Sequence, residues 1–268
     1  MPERATSSGA TPVLIAAFFL IVPVAVLWVM AQQEQPVGVP SDVYARAVRE
    51  AMQPNAAGVS HSLASVPIDR PLTVVTWMRR NQVADYDGKT TAPGYKDTWV
   101  TVVPNLKTFC REYVKSHGAN PQQLLLRLQQ RLGLPPVSSN DTFVELTVDP
   151  KDLSRFFRPC GDPSPNANTC QPLSPPKPAD IWKYDFRALG SGDPKEIEKY
   201  WMLTNYYWSV SSEHQYPWTA LGYTFDWAPR EEKSEDFVRW GESEFVIPAG
   251  APIQFVSATD TVAYCTPQ

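Results

Sequence analysis

Two carboxylates stand two residues apart near the carboxyl end, in Glu242-Ser243-Glu244, ahead of an apolar triplet, Pro248 and Gly250. Residues two apart on a strand share a face, so both acids are placed to meet one ligand. Upstream lies an aromatic block, 199–227, with Trp218, Tyr223 and Trp227 in its densest part, YPWTALGYTFDW. Exposed rings of this kind stack on sugar rings or line a partner surface, and we take these three as candidate binding residues. The competing reading is that the rings fill the core of a proline-rich domain, and periodicity does not separate the two. His214 close to the serines at 209, 211 and 212 is a weaker pair, and Asp85 and Asp87 around Tyr86 read as a turn. The chain has no G-x-S-x-G, H-E-x-x-H, P-loop or G-x-G-x-x-G sequence. Its three histidines are not spaced like zinc ligands with any cysteine, so no metal site is expected.

The segment from Trp240 to Val256 resembles the E-x-E strand and turn of arginine-specific mono-ADP-ribosyltransferases. That resemblance implies a catalytic Glu244, an acceptor-orienting Glu242 and NAD as cofactor. It covers about 15 residues. The family's upstream Ser-Thr-Ser element is matched in part by Ser209-Val210-Ser211-Ser212, and Arg79 is the arginine that could stand at the end of a strand. The stretches F-R-P-C-G-D-P and Y-P-W-T-A-L-G-Y-T-F-D-W also look similar to uncharacterised bacterial exported proteins, a likeness that implies location and no activity.

The elements that must carry these residues are legible in places. Apolar, β-rich runs predict strands at 72–78 and 97–103, and alternation predicts one at 142–148. A helix is expected at 105–117, with Asn105 as cap and Gly118 past its end. The next helix has Asn120 as cap, Pro121 at its first position, a stripe of Leu124, Leu128 and Leu132, and Gly133 as its stop. Asp193-Pro194-Lys195-Glu196 opens a further helix toward residue 206 with a capping box. Segments 223–227, 243–247, 252–256 and 261–265 read as β-like. Eight prolines between 150 and 178 leave room for neither an ordinary helix nor a central strand. The irregular mixture predicts an α+β domain, with helices packed on one mixed, largely antiparallel sheet.

Residues 12–31 are apolar and uncharged, and 20 such residues at 1.5 Å each span a hydrocarbon core of roughly 30 Å. The segment reads as a transmembrane anchor, or as a signal peptide cleaved after Ala31. The expected order is a cytoplasmic amino terminus over 1–11, the span at 12–31, a juxtamembrane helix and linker over 32–69, and an exported globular domain over 70–268. A stripe of Val43, Tyr44, Ala47, Val48, Ala51 and Met52 marks that helix. All four cysteines, Cys110, Cys160, Cys170 and Cys265, follow the apolar segment, and an even count in an exported chain predicts disulfides. Three pairings exist. Closing the turn-rich loop between Cys160 and Cys170 would stabilise a segment with no core of its own by about 2–3 kcal/mol, and it leaves Cys110 for Cys265.

With 24 basic and 28 acidic side chains in 268 residues, the chain lacks the basic stripe of a nucleic-acid binder. The expectation is a single-pass inner-membrane protein with its domain in the periplasm or outside, or a secreted one if cleaved. Its role is that of a non-enzymatic binding or accessory subunit of the cell envelope, without cofactor, meeting the membrane through 12–31 and an envelope protein or glycan through its domain. The alternative is an exported, NAD-dependent ADP-ribosyltransferase-like enzyme.

Overall fold

A computed structural model describes residues 41–51, 58–118, 120–171, 201–202, 204–205, 209, 216–229 and 239–267. The segment 12–31 and most of the helix expected from Asp193 lie outside the described residues. Among the described residues no helix is long and apolar enough to cross a membrane.

The domain is α+β. In chain order its strands are β1 (Leu72–Met78), β2 (Thr98–Val102), β3 (Thr142–Val148), β4 (Tyr223–Phe225), β5 (Trp240–Ile247) and β6 (Gln254–Asp260). They form one six-stranded sheet in the order β4-β5-β2-β1-β3-β6. Every neighbouring pair is antiparallel. The central strands β1 and β3 are mostly buried on both faces, and β1 accordingly runs nearly continuously apolar in sequence. β6 alternates between exposed and half-buried residues, as a strand at one border of the sheet does.

The two faces are covered differently. On one, Val74, Val100, Val144, Leu146, Phe245 and Ile247 pack with Tyr86, Phe156 and Ile253 from loops. On the other, Val75, Trp77 and Phe143 pack under helices α2 (Asn105–His117), α3 (Pro121–Arg131) and α4 (Thr261–Cys265). Asn120 caps α3 as its sequence predicts, accepting from the backbone N–H groups of Gln122 and Gln123 at 3.0 and 3.2 Å. α2 differs: Pro104 precedes it and no side chain caps it, so Asn105 is its first residue and not its cap.

Segment 261–265, expected to be β-like, is helical. Asp260 Oδ1 accepts from the Val262 N–H, which starts a helix. Thr261, Tyr264 and Cys265 are all buried. Helical spacing of three and four turns them to one side, whereas a strand would send the last two to opposite faces. Thr261 Oγ1 accepts from Trp77 Nε1, and Tyr264 stacks on Phe143. Disulfides join Cys110 to Cys265 and Cys160 to Cys170, with Cα separations of 5.1 and 6.2 Å.

Helix α1 (Ser41–Ala51) and the run 58–66 pack on this domain, although the sequence places its start near residue 70. Ala47 and Ala51 meet Phe225 and Trp227. Leu63 and Val66 are buried, and their N–H groups bond to Asn168 and Pro165 of the loop closed by the Cys160–Cys170 disulfide.

Arg158, 0% exposed, fastens that loop to its surroundings. Nη2 donates to the carbonyls of Ala64, Pro165 and Ala167, and Nη1 donates to that of Gly222. A Cβ on Gly222 would lie 2.7 Å from Arg158 Cδ, and Gly222 has φ +75°. Both the space and the backbone angle call for glycine here. Gly88 has a similar φ of +67° with no atom in the way. Gly222→Ala should therefore cost at least about 2 kcal/mol, and Gly88→Ala about 1 kcal/mol, in urea unfolding with unchanged m values. Equal losses would mean that the close approach to Arg158 carries no energy.

Candidate functional site

A cavity of about 470 Å³ opens beneath the helix-bearing face of the sheet, where β1, β2, β4 and β5 meet the chain after α3. Its position follows from strand alternation. Trp77 on β1 and Trp99 and Thr101 on β2 point to this face, and the register pairs Thr101 with Glu244 on β5. Facing side chains of an antiparallel pair lie about 5 Å apart. Leu132, Gly133 and Leu134 close one side, and Pro217 and Trp218 another.

Trp218 belongs to a cluster of three indoles. Its ring meets Trp99 edge-on at 6.1 Å and Trp201 at 6.2 Å, and Trp99 lies 5.4 Å from Trp201. Trp201 Nε1 donates to Asp97, whose other oxygen accepts from the Ala249 N–H. Among the described residues the Trp218 Nε1–H has no hydrogen-bond partner. The same is true of Glu244 Oε1 and Thr101 Oγ1. Glu244 and Thr101 are each 5% exposed and Trp218 is 9% exposed. All three line the cavity. Buried polar atoms are nearly always paired, so three unpaired ones around one space mark it as a place for something polar.

Burial pushes the Glu244 carboxyl up from its ordinary 4.5 to about 8. The Trp218 N–H, which faces the acid, and the positive Arg158 pull the other way and are outweighed. Burial in turn lowers Arg158 to about 10. At neutral pH Glu244 is thus mostly a carboxylic acid, able to donate a hydrogen bond as well as accept one.

Glu242, on the same strand face, has another environment. Arg131 Nε donates to its Oε1 at 2.7 Å. Arg131 also lies 3.7 Å from Asp226, which is held by both terminal nitrogens of Arg127 at 3.0 and 2.6 Å. Glu242 borders a second, more polar cavity of about 560 Å³, together with Ser60, Ser62, Phe109 and Trp240. The two glutamates therefore share a strand face but line different cavities.

The aromatic candidates are inside the fold. Trp227 is 1% and Tyr223 4% exposed, so these rings offer no stacking surface, in contrast to their expected role. Trp227 packs edge-on against Tyr44 and donates from Nε1 to Leu134. Tyr223 Oη donates to Gly58, and its ring lines both cavities. Trp218 alone of the three adds an unpaired polar atom to the site. Ser209 borders the cavity beside Glu244, while His214 and residues 210–212 lie outside the described residues. Arg79 is exposed at the end of β1 and borders neither cavity. Asp85 faces Lys96 at 3.7 Å and accepts from Tyr95. No group of three or more metal-binding side chains exists among the described residues.

Sequence reasoning missed Thr101, Trp99 and Arg158. The W-x-T pattern of β2 places Trp99 and Thr101 on one face, but their meeting with Glu244 depends on which strands pair. No family model matches the chain, and no curated protein and no solved structure is significantly similar to it. The site is therefore read from its geometry.

A carboxyl with a folded pKa above its unfolded value binds its proton more tightly when folded. It supports folding fully below about pH 4.5 and loses that contribution as pH rises toward 8. Relative to Glu244→Gln, the wild-type chain should lose stability on the order of 1 kcal/mol per pH unit between pH 5 and 8, so that the variant is the more stable at pH 8. Parallel stability profiles for the two proteins would show that Glu244 ionises normally.

Proposed function

We propose that this chain is a membrane-tethered, extracytoplasmic protein whose domain binds a small molecule in the cavity beside Glu244, and that it does so as a binding or accessory module without turnover. The observation that carries the reading is the combination of apolar walls with three unpaired, buried polar atoms in about 470 Å³. Small-molecule sites commonly have this volume and composition. The apolar run 12–31 and the two disulfides support an exported location. Binding moves from the exposed aromatic surface expected from the sequence to the wall of a cavity.

The transferase reading needs Glu242 and Glu244 at one ligand. Glu242 is engaged by Arg131 and borders the other cavity, so the geometry favours binding over transfer.

Indane, a neutral bicyclic hydrocarbon, is a suitable first probe of the cavity. It should bind the full chain with a Kd on the order of 100 µM by titration calorimetry, given its nine heavy atoms. Leu134→Trp, which enlarges a wall residue, should weaken that binding at least tenfold with little change in Tm. Unsaturable uptake, equal in both proteins, would indicate partitioning and defeat the reading.

A further inference from the structure

We infer that the cavity beside Glu244 selects a neutral, flat, mainly apolar ring molecule bearing one carbonyl oxygen, which it receives among Glu244, Thr101 and Trp218. This rests on the binding reading above and adds the chemical class of the ligand.

The selection follows from counting donors. Trp218 Nε1 can only donate, Thr101 Oγ1 can donate or accept, and Glu244 is a donor as long as it keeps its proton. All three are at least nine-tenths buried and unpaired. A carbonyl oxygen has two lone pairs and no hydrogen, so it can accept from the Trp218 N–H and a second of these donors together. An ammonium brings donors only. It could pair with Glu244 only after that acid gives up its proton, and it would still leave the Trp218 N–H unpaired. A carboxylate would accept from the donors but would bring a second acid against Glu244, and Arg158 spends its terminal nitrogens on backbone carbonyls. A pure hydrocarbon satisfies none of the three atoms.

The walls complete the description. Trp77, Trp99, Leu134 and Phe225 present ring faces and aliphatic groups, which favour a flat apolar body. Water can also occupy the polar end. A ligand gains there by displacing water with an oxygen that remakes its bonds, and loses by displacing it with a methylene.

Three probes with one skeleton test this: indane, 1-indanone and 1-aminoindane, each titrated into the full chain at pH 6.5. We expect 1-indanone to bind at least tenfold more tightly than either of the others. Glu244→Leu should reduce that preference below threefold. Trp218→Phe keeps the ring, loses the N–H and should also shrink the preference, which provides the same test if the first variant folds poorly. Equal binding of indane and 1-indanone would overturn the carbonyl assignment and leave the binding reading standing, as would tightest binding of 1-aminoindane. Saturable binding of none of the three would overturn both.

Discussion

A guanidinium with no exposed surface has to find five acceptors or bear the cost of those it lacks, and the position of Arg158 shapes everything around it. It lies over the ring of Phe245, 4.4 Å from its centroid, and donates to backbone carbonyls from three separate stretches of chain. These are the run 58–66, the loop closed by Cys160 and Cys170, and the turn entering β4. None of the three is regular structure, so none satisfies all its own carbonyls. The arginine supplies what they lack, and they supply acceptors for its terminal nitrogens, while its Nε has no partner among the described residues. The arrangement also fixes Gly222, because a side chain there would occupy the space of the Arg158 stem.

The cavity is a consequence of how unevenly the sheet is covered. α2, α3 and α4 lie over β1 and β3, where Val75, Trp77 and Phe143 give them an apolar floor. Toward β2 and β5 the same face carries Thr101 and Glu244, which no helix can cover with apolar side chains without cost. Trp218 arrives there on an irregular segment whose turn is held by Thr219, with its hydroxyl bonded to the Tyr223 carbonyl and the Leu221 N–H. Gly241 marks the opposite limit of approach. A Cβ there would lie 2.1 Å from Thr224 Oγ1 and 2.4 Å from the Arg131 carbonyl, so β4, β5 and the end of α3 converge as closely as backbones allow. The close contact on that side and the space on the other are set by the same strand.

The parts of this fold that sequence could disclose are those with local causes. Strand β3, with its bounds at Thr142 and Val148, and helix α3, with Asn120, Pro121 and its leucine stripe, follow from neighbours within a turn or two. Segment 261–265 did not, because what bends it into a helix is Asp260 together with partners 150 or more residues away, among them Cys110 and Trp77. β6 lies later than the expected 252–256 because its alternation is shallow, with half-buried Phe255, Ser257 and Thr259 against exposed neighbours. At the site, Glu244 and Trp218 were legible as residue types. Thr101 was not, since its role depends on the pairing of β2 with β5 across 142 intervening positions.

The two glutamates of the E-S-E sequence show why spacing alone is a weak guide to chemistry. Alternation gives Glu242 and Glu244 the same face, as expected, yet their surroundings give them different work. Glu242 meets Arg131 at bonding distance, and that arginine and Arg127 in turn lie over Phe109 and share Asp226. Two cations and two anions thus form a compact set in which each charge has a partner. Glu244 sits one pleat further along, where the terminal nitrogens of Arg158 are turned toward backbone carbonyls and the donor facing the acid is the Trp218 indole. An acid in such a place relieves its desolvation by keeping a proton. One motif therefore yields a structural ion pair and, beside it, a neutral acid facing an apolar cavity. What distinguishes them is which long-range partner the fold delivers, Arg131 to the first and Trp218 to the second.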